Sequence, residues 1–158
     1  MRFFEDVEIG HRVPLGSHTF LAPEIVAFAR AWDPQPFHID AVAGARSHFG
    51  GLAASGWHTA AIWARLRAKY LAALHAEMGR RGERVPRIGP SPGFKDMKWL
   101  KPVLAGDTIS YHSEVIGKKP SASRPEWGLV FSLETGSNQY GRSAFEFTNC
   151  VFVERLEA

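Results

Sequence analysis

Residues 56–78 read GWHTAAIWARLRAKYLAALHAEM. Trp57, Ala60, Ala61, Ala64, Ala68 and Leu71 recur at helical spacing on one face, and Ile62, Leu66, Tyr70, Ala73 and Leu74 on another. The stretch predicts a long helix that is apolar over much of its girth and therefore wrapped by other elements. A Gly-, Pro- and Arg-rich segment, Gly79 to Gly93, follows and is expected to be a long surface loop. Beyond it the apolar period changes to two. Ile109, Tyr111, Ser113 and Val115 form one alternating row, Trp127, Leu129, Phe131 and Leu133 a second, and Phe145, Phe147, Asn149, Val151 and Val153 a third. Phe94 to Val103 predicts a further strand, and the tight Ala105-Gly106-Asp107 link predicts that it pairs antiparallel with its successor. Arg12 to Leu21 is expected at a sheet edge. Helices first and strands afterwards give an α+β domain, a curved antiparallel sheet wrapped around one long central helix.

Upstream, Pro23 to Trp32 places Ile25, Val26, Phe28, Ala29 and Trp32 at helical spacing, with Pro23 at a first-turn position where its missing N–H costs nothing. The 158 residues fit one domain, 1–158. With 45% hydrophobic and 22% charged residues the chain builds a packed core, which excludes disorder. The single cysteine, Cys150, allows no internal disulfide and is expected as a small core residue. No apolar run approaches the roughly 18 residues of a membrane helix, and Glu5 and Asp6 fall where a signal peptide would be apolar, so a cytoplasmic protein is expected. A net charge of +3 suits an anionic ligand. Arg80, Arg81, Arg84, Arg87, Lys118, Lys119 and Arg124 accompany no nucleic-acid motif, and none of His48, His58, His75 and His112 has metal-ligand spacing, so neither nucleic acid nor metal is expected.

Polar groups are densest in Ala31-Trp32-Asp33-Pro34-Gln35-Pro36-Phe37-His38-Ile39-Asp40. Asp33 and Gln35 both precede proline and are driven out of the α region, so the helix stops at Trp32 and the loop is stiff. Fully stretched, Asp33 to His38 would span roughly 17 Å, so a shared site requires the segment to turn back. A carboxylate and an imidazole on one water form a general acid/base pair. The alternative is a capped turn in which Asp33 ends one helix, Asp40 caps a short helix Ala41 to Ser47, and His38 is a satisfied buried histidine. The second feature is Phe49-Gly50-Gly51-Leu52-Ala53-Ala54-Ser55-Gly56-Trp57, a glycine-rich entry into the long helix with Ser55 as N-cap candidate. Free N–H groups at that end, Gly56 first, stabilise negative charge on a carbonyl oxygen, as in an oxyanion hole. Plain helix entry is the competing explanation.

At these residues the chain resembles the MaoC-like dehydratases, the hot-dog-fold group that includes the (R)-specific enoyl-CoA hydratases. The family's Asp-x-Asn-Pro-x-His loop reads here Asp33-Pro34-Gln35-Pro36-Phe37-His38, its helix glycine is Gly56, and Lys101-Pro102-Val103-Leu104-Ala105-Gly106-Asp107-Thr108 resembles its strand-to-strand link. The resemblance implies a hot-dog fold and a hydratase/dehydratase that adds water reversibly across a 2-enoyl thioester. Asp33 and His38 would be its catalytic dyad and the Gly56 N–H its oxyanion donor, with Trp32, Gln35, Phe37, Phe49, Ser55 and Trp57 around the substrate. It implies no cofactor, coenzyme A entering with the acyl-CoA or acyl-carrier substrate, and a homodimer or higher homo-oligomer. Gln35 stands for the family's asparagine and Ser55 for a histidine often found before the glycine; Trp32 replaces a glycine and is expected to narrow the acyl pocket. An acyl-thioester binding module without catalysis is the rival. A hot-dog thioesterase ranks lower, because the long helix offers only Glu77, near its far end, as a carboxylate.

Overall fold

The computed structural model describes residues 2–156; residues 1, 157 and 158 of the expected domain lie outside it. The strands are β1 (Arg12–Thr19), β2 (Gly93–Trp99), β3 (Thr108–Pro120), β4 (Trp127–Ser137) and β5 (Ser143–Glu154), all antiparallel in the order β1-β3-β4-β5-β2, with period-two burial clear in β3, β4 and β5. The helices are α1 (Ala22–Trp32), α2 (Pro36–Ile39), α3 (Ala41–Arg46) and α4 (Gly56–Arg80). Ile62 and Leu66 of α4 meet Tyr111, Phe145 and Phe147 of the sheet in the main core, which Phe20 and Ile25 close from the β1–α1 side. No helix among the described residues is long and apolar enough to cross a membrane.

Four expectations need correction. The strand at 93–99 pairs with β5, at the opposite edge from β1, and not with β3. Its link to β3 is long enough to cross the intervening strands, and it is held on the way: Val103 accepts from Ala54 N–H (2.8 Å) and Gly106 N–H donates to Phe20 (2.8 Å). The Ala105-Gly106-Asp107 turn, closed by Leu104 N–H on Asp107 (2.8 Å), is thus the end of a crossover. On β4 the buried face is Gly128, Val130, Ser132, Glu134 and Gly136, while the apolar row from Trp127 to Leu133 lies half-buried on the outer face. Cys150, opposite Phe131 and half-buried, sits on that outer face instead of in the core. Finally, Ala61, Ala64 and Ala68 of α4 are exposed, so their side chains serve helix propensity instead of burial.

The segment after α4 is also less of a free loop than its composition suggests. Ile88 bridges Val153, and Gly89 N–H donates to Phe152 (2.9 Å). Arg84 and the Arg87 N–H both bond Glu154, so the segment is laid along β5.

Candidate active site

Asp33 leaves the helical region at φ −155°, as a residue before proline must, and Gln35 is extended at ψ 143°. Pro36 then opens α2, a single turn that the sequence did not announce as helix. That turn reverses the chain: His38 Nε2 comes to 3.4 Å from Asp33 Oδ2. His38 Nδ1 lies 2.7 Å from the Ala53 carbonyl, which can only accept, so Nδ1 carries a proton and Nε2 is the nitrogen free to exchange one beside the carboxylate. Ala53 N–H returns a bond to the Phe37 carbonyl (3.2 Å), locking α2 to the segment that leads into α4.

Both carboxylate oxygens of Asp33 are engaged. Gln35 Nε2 donates to Oδ1 (2.8 Å) and Ser55 Oγ to Oδ2 (2.7 Å). Burial works to raise the Asp33 pKa, but the hydrogen bonds from Ser55 and Gln35 and the field of His38 outweigh it and hold the carboxyl below its ordinary value. Ser55 is the N-cap of α4 as well, its Oγ accepting from Trp57 N–H (3.2 Å). One hydroxyl therefore ties the dyad to the helix start. The N–H of Gly56, first in the helix, has no intrahelical acceptor. A Cβ at Gly56 would stand 2.5 Å from the Trp99 indole, so the absent side chain is what lets Trp99 lie over the helix start.

A cavity of about 360 Å³ opens beside these groups, lined by Asp33, Gln35, Phe37, His38, Phe49, Gly56 and Trp57 among others. Of the residues expected around a substrate, Ser55 lies beneath this lining, bonded to Asp33. Trp32 is 76% exposed and does not line the cavity, so it narrows nothing there. It ends α1 facing solvent because the chain turns at Asp33, one residue later. Thr59, Trp99 and Lys101 line the cavity although sequence reading did not single them out. Trp99 ends β2 and Lys101 follows it into the crossover, and the sequence carries no signal for the pairing of β2 with β5 that places them; Thr59 had one available, being a helical turn from Gly56. Asp40 caps α3 through Ala43 N–H (2.7 Å), as the capped-turn alternative had it. No group of three His, Cys, Asp or Glu among the described residues is placed to hold a metal.

The MaoC like domain pattern matches residues 6–128. This chain belongs to the MaoC-like family. The MaoC-like domain is 36% identical to a MaoC-like dehydratase from Rhodospirillum rubrum whose crystal structure superposes with a TM-score of 0.80, covering 100% of both chains. Over 80 residues it is 33% identical to the mesaconyl-CoA hydratase of Cereibacter sphaeroides, a match that takes in 48% of this chain and 23% of that one. An R-hydratase from Pseudomonas aeruginosa, 19% identical, shares the fold at a TM-score of 0.65 over 99% of this chain and 88% of its own. The five-stranded antiparallel sheet around α4 is the hot-dog fold.

Proposed function

We propose that this MaoC-like domain is an enoyl-thioester hydratase/dehydratase that interconverts a 2-enoyl-CoA and a 3-hydroxyacyl-CoA, of R configuration. The observation that carries this reading is the Asp33–His38 pair, 3.4 Å apart at the wall of a cavity and tied through Ser55 to the first turn of α4. In the hydration direction a water held between Asp33 and His38 loses a proton to the dyad as its oxygen bonds C3. The electron pair of the double bond moves toward the thioester oxygen, and the dyad returns a proton to C2. The Gly56 N–H, at the positive end of α4, takes the developing enolate oxygen. A positioned acid/base group supplies roughly 10²–10⁴-fold and an oxyanion donor roughly 10²–10³-fold. The chain's net charge of +3 and Lys101 at the cavity suit the anionic coenzyme A arm.

The departures from the family loop keep their function in this reading. Gln35 and Ser55 both donate to Asp33, so each replacement still braces the carboxylate. Glu77, the carboxylate a thioesterase would need, is bonded to Arg80 and Arg81 at the far end of α4. The site belongs to a homodimer in this reading: β2 leaves one edge unpaired, and Trp57, Phe94, Trp99 and Leu100 are 42–54% exposed on it or beside the cavity. The test is turnover of a panel of 2-enoyl-CoA esters with Asp33→Asn alongside. Turnover lost in the variant supports the proposal, and ester binding without turnover overturns it.

A further inference from the structure

A second cavity, about 670 Å³, lies between the C-terminal half of α4 and the β1–β3 side of the sheet, and it shares no lining residue with the first. Arg67, its innermost cation, is 11 residues along α4 from Gly56, about 16 Å at the helical rise. Leu15, Leu71, Leu74 and Val115 give the cavity apolar walls. At its rim stand Arg2, His11, Asp6 and Glu8. Its polar floor is Arg67, Ser113 and Ser132.

Arg67 is the unusual member. Its Nη1 donates to Glu134 Oε1 (3.1 Å), the two side chains being 11% and 0% exposed. Its Nη2 is buried with no hydrogen-bond acceptor among the described residues. Glu134 does not depend on this cation alone, since Trp63 Nε1 (2.9 Å), Ser113 Oγ (3.0 Å) and Asn149 also donate to it. A buried guanidinium nitrogen left without an acceptor is costly, and planar guanidinium matches a carboxylate. The function proposed above uses none of these groups.

We infer that this second cavity is a binding site for a small amphiphilic carboxylate, its chain against the Leu71–Leu74 wall and its head group on Arg67. Octanoate is the probe, titrated calorimetrically into the full-length protein, with 1-octanol as the uncharged control. The expected result is saturable octanoate binding, with 1-octanol at least about tenfold weaker. Equal affinity for the two, or no saturable binding, overturns the inference. Leu71→Trp, which puts an indole into the apolar wall where the chain would lie and leaves the Arg67–Glu134 pair in place, should abolish octanoate binding. Asp33→Asn should leave it unchanged. If Leu71→Trp still binds octanoate, or Asp33→Asn does not, the ligand sits elsewhere and the inference fails. Because Arg67 alone cannot be removed without stranding Glu134, Arg67→Met is made together with Glu134→Gln. In that variant, with its fold checked by circular dichroism, octanoate and 1-octanol should bind alike; retained preference for octanoate contradicts the role of Arg67. Binding is read directly, so the result stands apart from whether the enoyl esters turn over.

Discussion

Ser55 Oγ accepts from the α4 backbone and donates to Asp33, so one side chain serves both helix stability and the electrostatics of the site. Ser55→Ala should cost about 1 kcal/mol as a lost N-cap. It should also move the pH–rate profile. The Ser55 hydrogen bond favours ionised Asp33, so its loss raises the carboxyl pKa, and activity carried by the carboxylate should begin to fall at a higher pH as acid is added. An unmoved acid limb in Ser55→Ala would show that Asp33 is not the group titrating there. At this scale part of the candidate site's geometry was legible: the proline after Asp33 sets where α1 ends, and the stretched length of Asp33 to His38 requires the loop to turn back if the two are to meet. That a helical turn makes the reversal was not legible, because four residues carry no periodicity. Trp99 was hidden for a different reason, since its place over Gly56 depends on the pairing of β2 with the distant β5.

Where α1 and α4 meet, His58 stacks on Phe28 with ring centroids 4.4 Å apart and meets Phe20 edge-on at 5.0 Å. Burial pushes its pKa down to about 4. The unfolded chain, with an ordinary histidine near 6.5, binds the proton more readily, so acid favours unfolding. The contribution is present in full above pH 6.5, is lost as pH falls toward 4, and amounts to about 3 kcal/mol. Thermal melts across that range should therefore show a steep loss of stability in the native protein and a flatter one in His58→Phe. Parallel curves would place the acid sensitivity elsewhere. Elements themselves were legible from period, but faces and partners were not. Alternation on β4 identifies a strand equally well from either side, and only the packing of Glu134 against Arg67 and Trp63 shows which side is inner. The pairing of β2 with β5 likewise rests on non-local contacts that a hairpin-length turn motif misrepresents.

Across the whole molecule, the buried Arg67–Glu134 pair spans α4 and β4 and should behave as a unit. Removing Arg67 takes the cation from Glu134 and leaves that buried carboxyl only its neutral donors, so Arg67→Met should destabilise by up to about 3–5 kcal/mol in denaturant melts. Arg67→Met combined with Glu134→Met should recover most of that loss; failure to recover would mean the pair is not what the single variant disturbs. The unpaired edge of β2 bears on assembly. If the proposed homodimer forms through that edge, Phe94→Asp, at a half-exposed position on it, should shift sedimentation from dimer toward monomer; sedimentation unchanged by the substitution would contradict an interface at β2. An antiparallel sheet curved round one long helix was readable because such a helix followed by period-two rows admits few arrangements; that it is a hot-dog fold came from the resemblance of the Asp33–His38 loop and Gly56 to the family. The measurement bearing most directly on function is the fall in enoyl-thioester absorbance when native protein, Asp33→Asn and His38→Ala each meet a panel of 2-enoyl-CoA esters. Turnover by the native protein with kcat lower by about 10²–10⁴-fold in both variants is the expected result; turnover undiminished in either variant would contradict the assignment of the dyad.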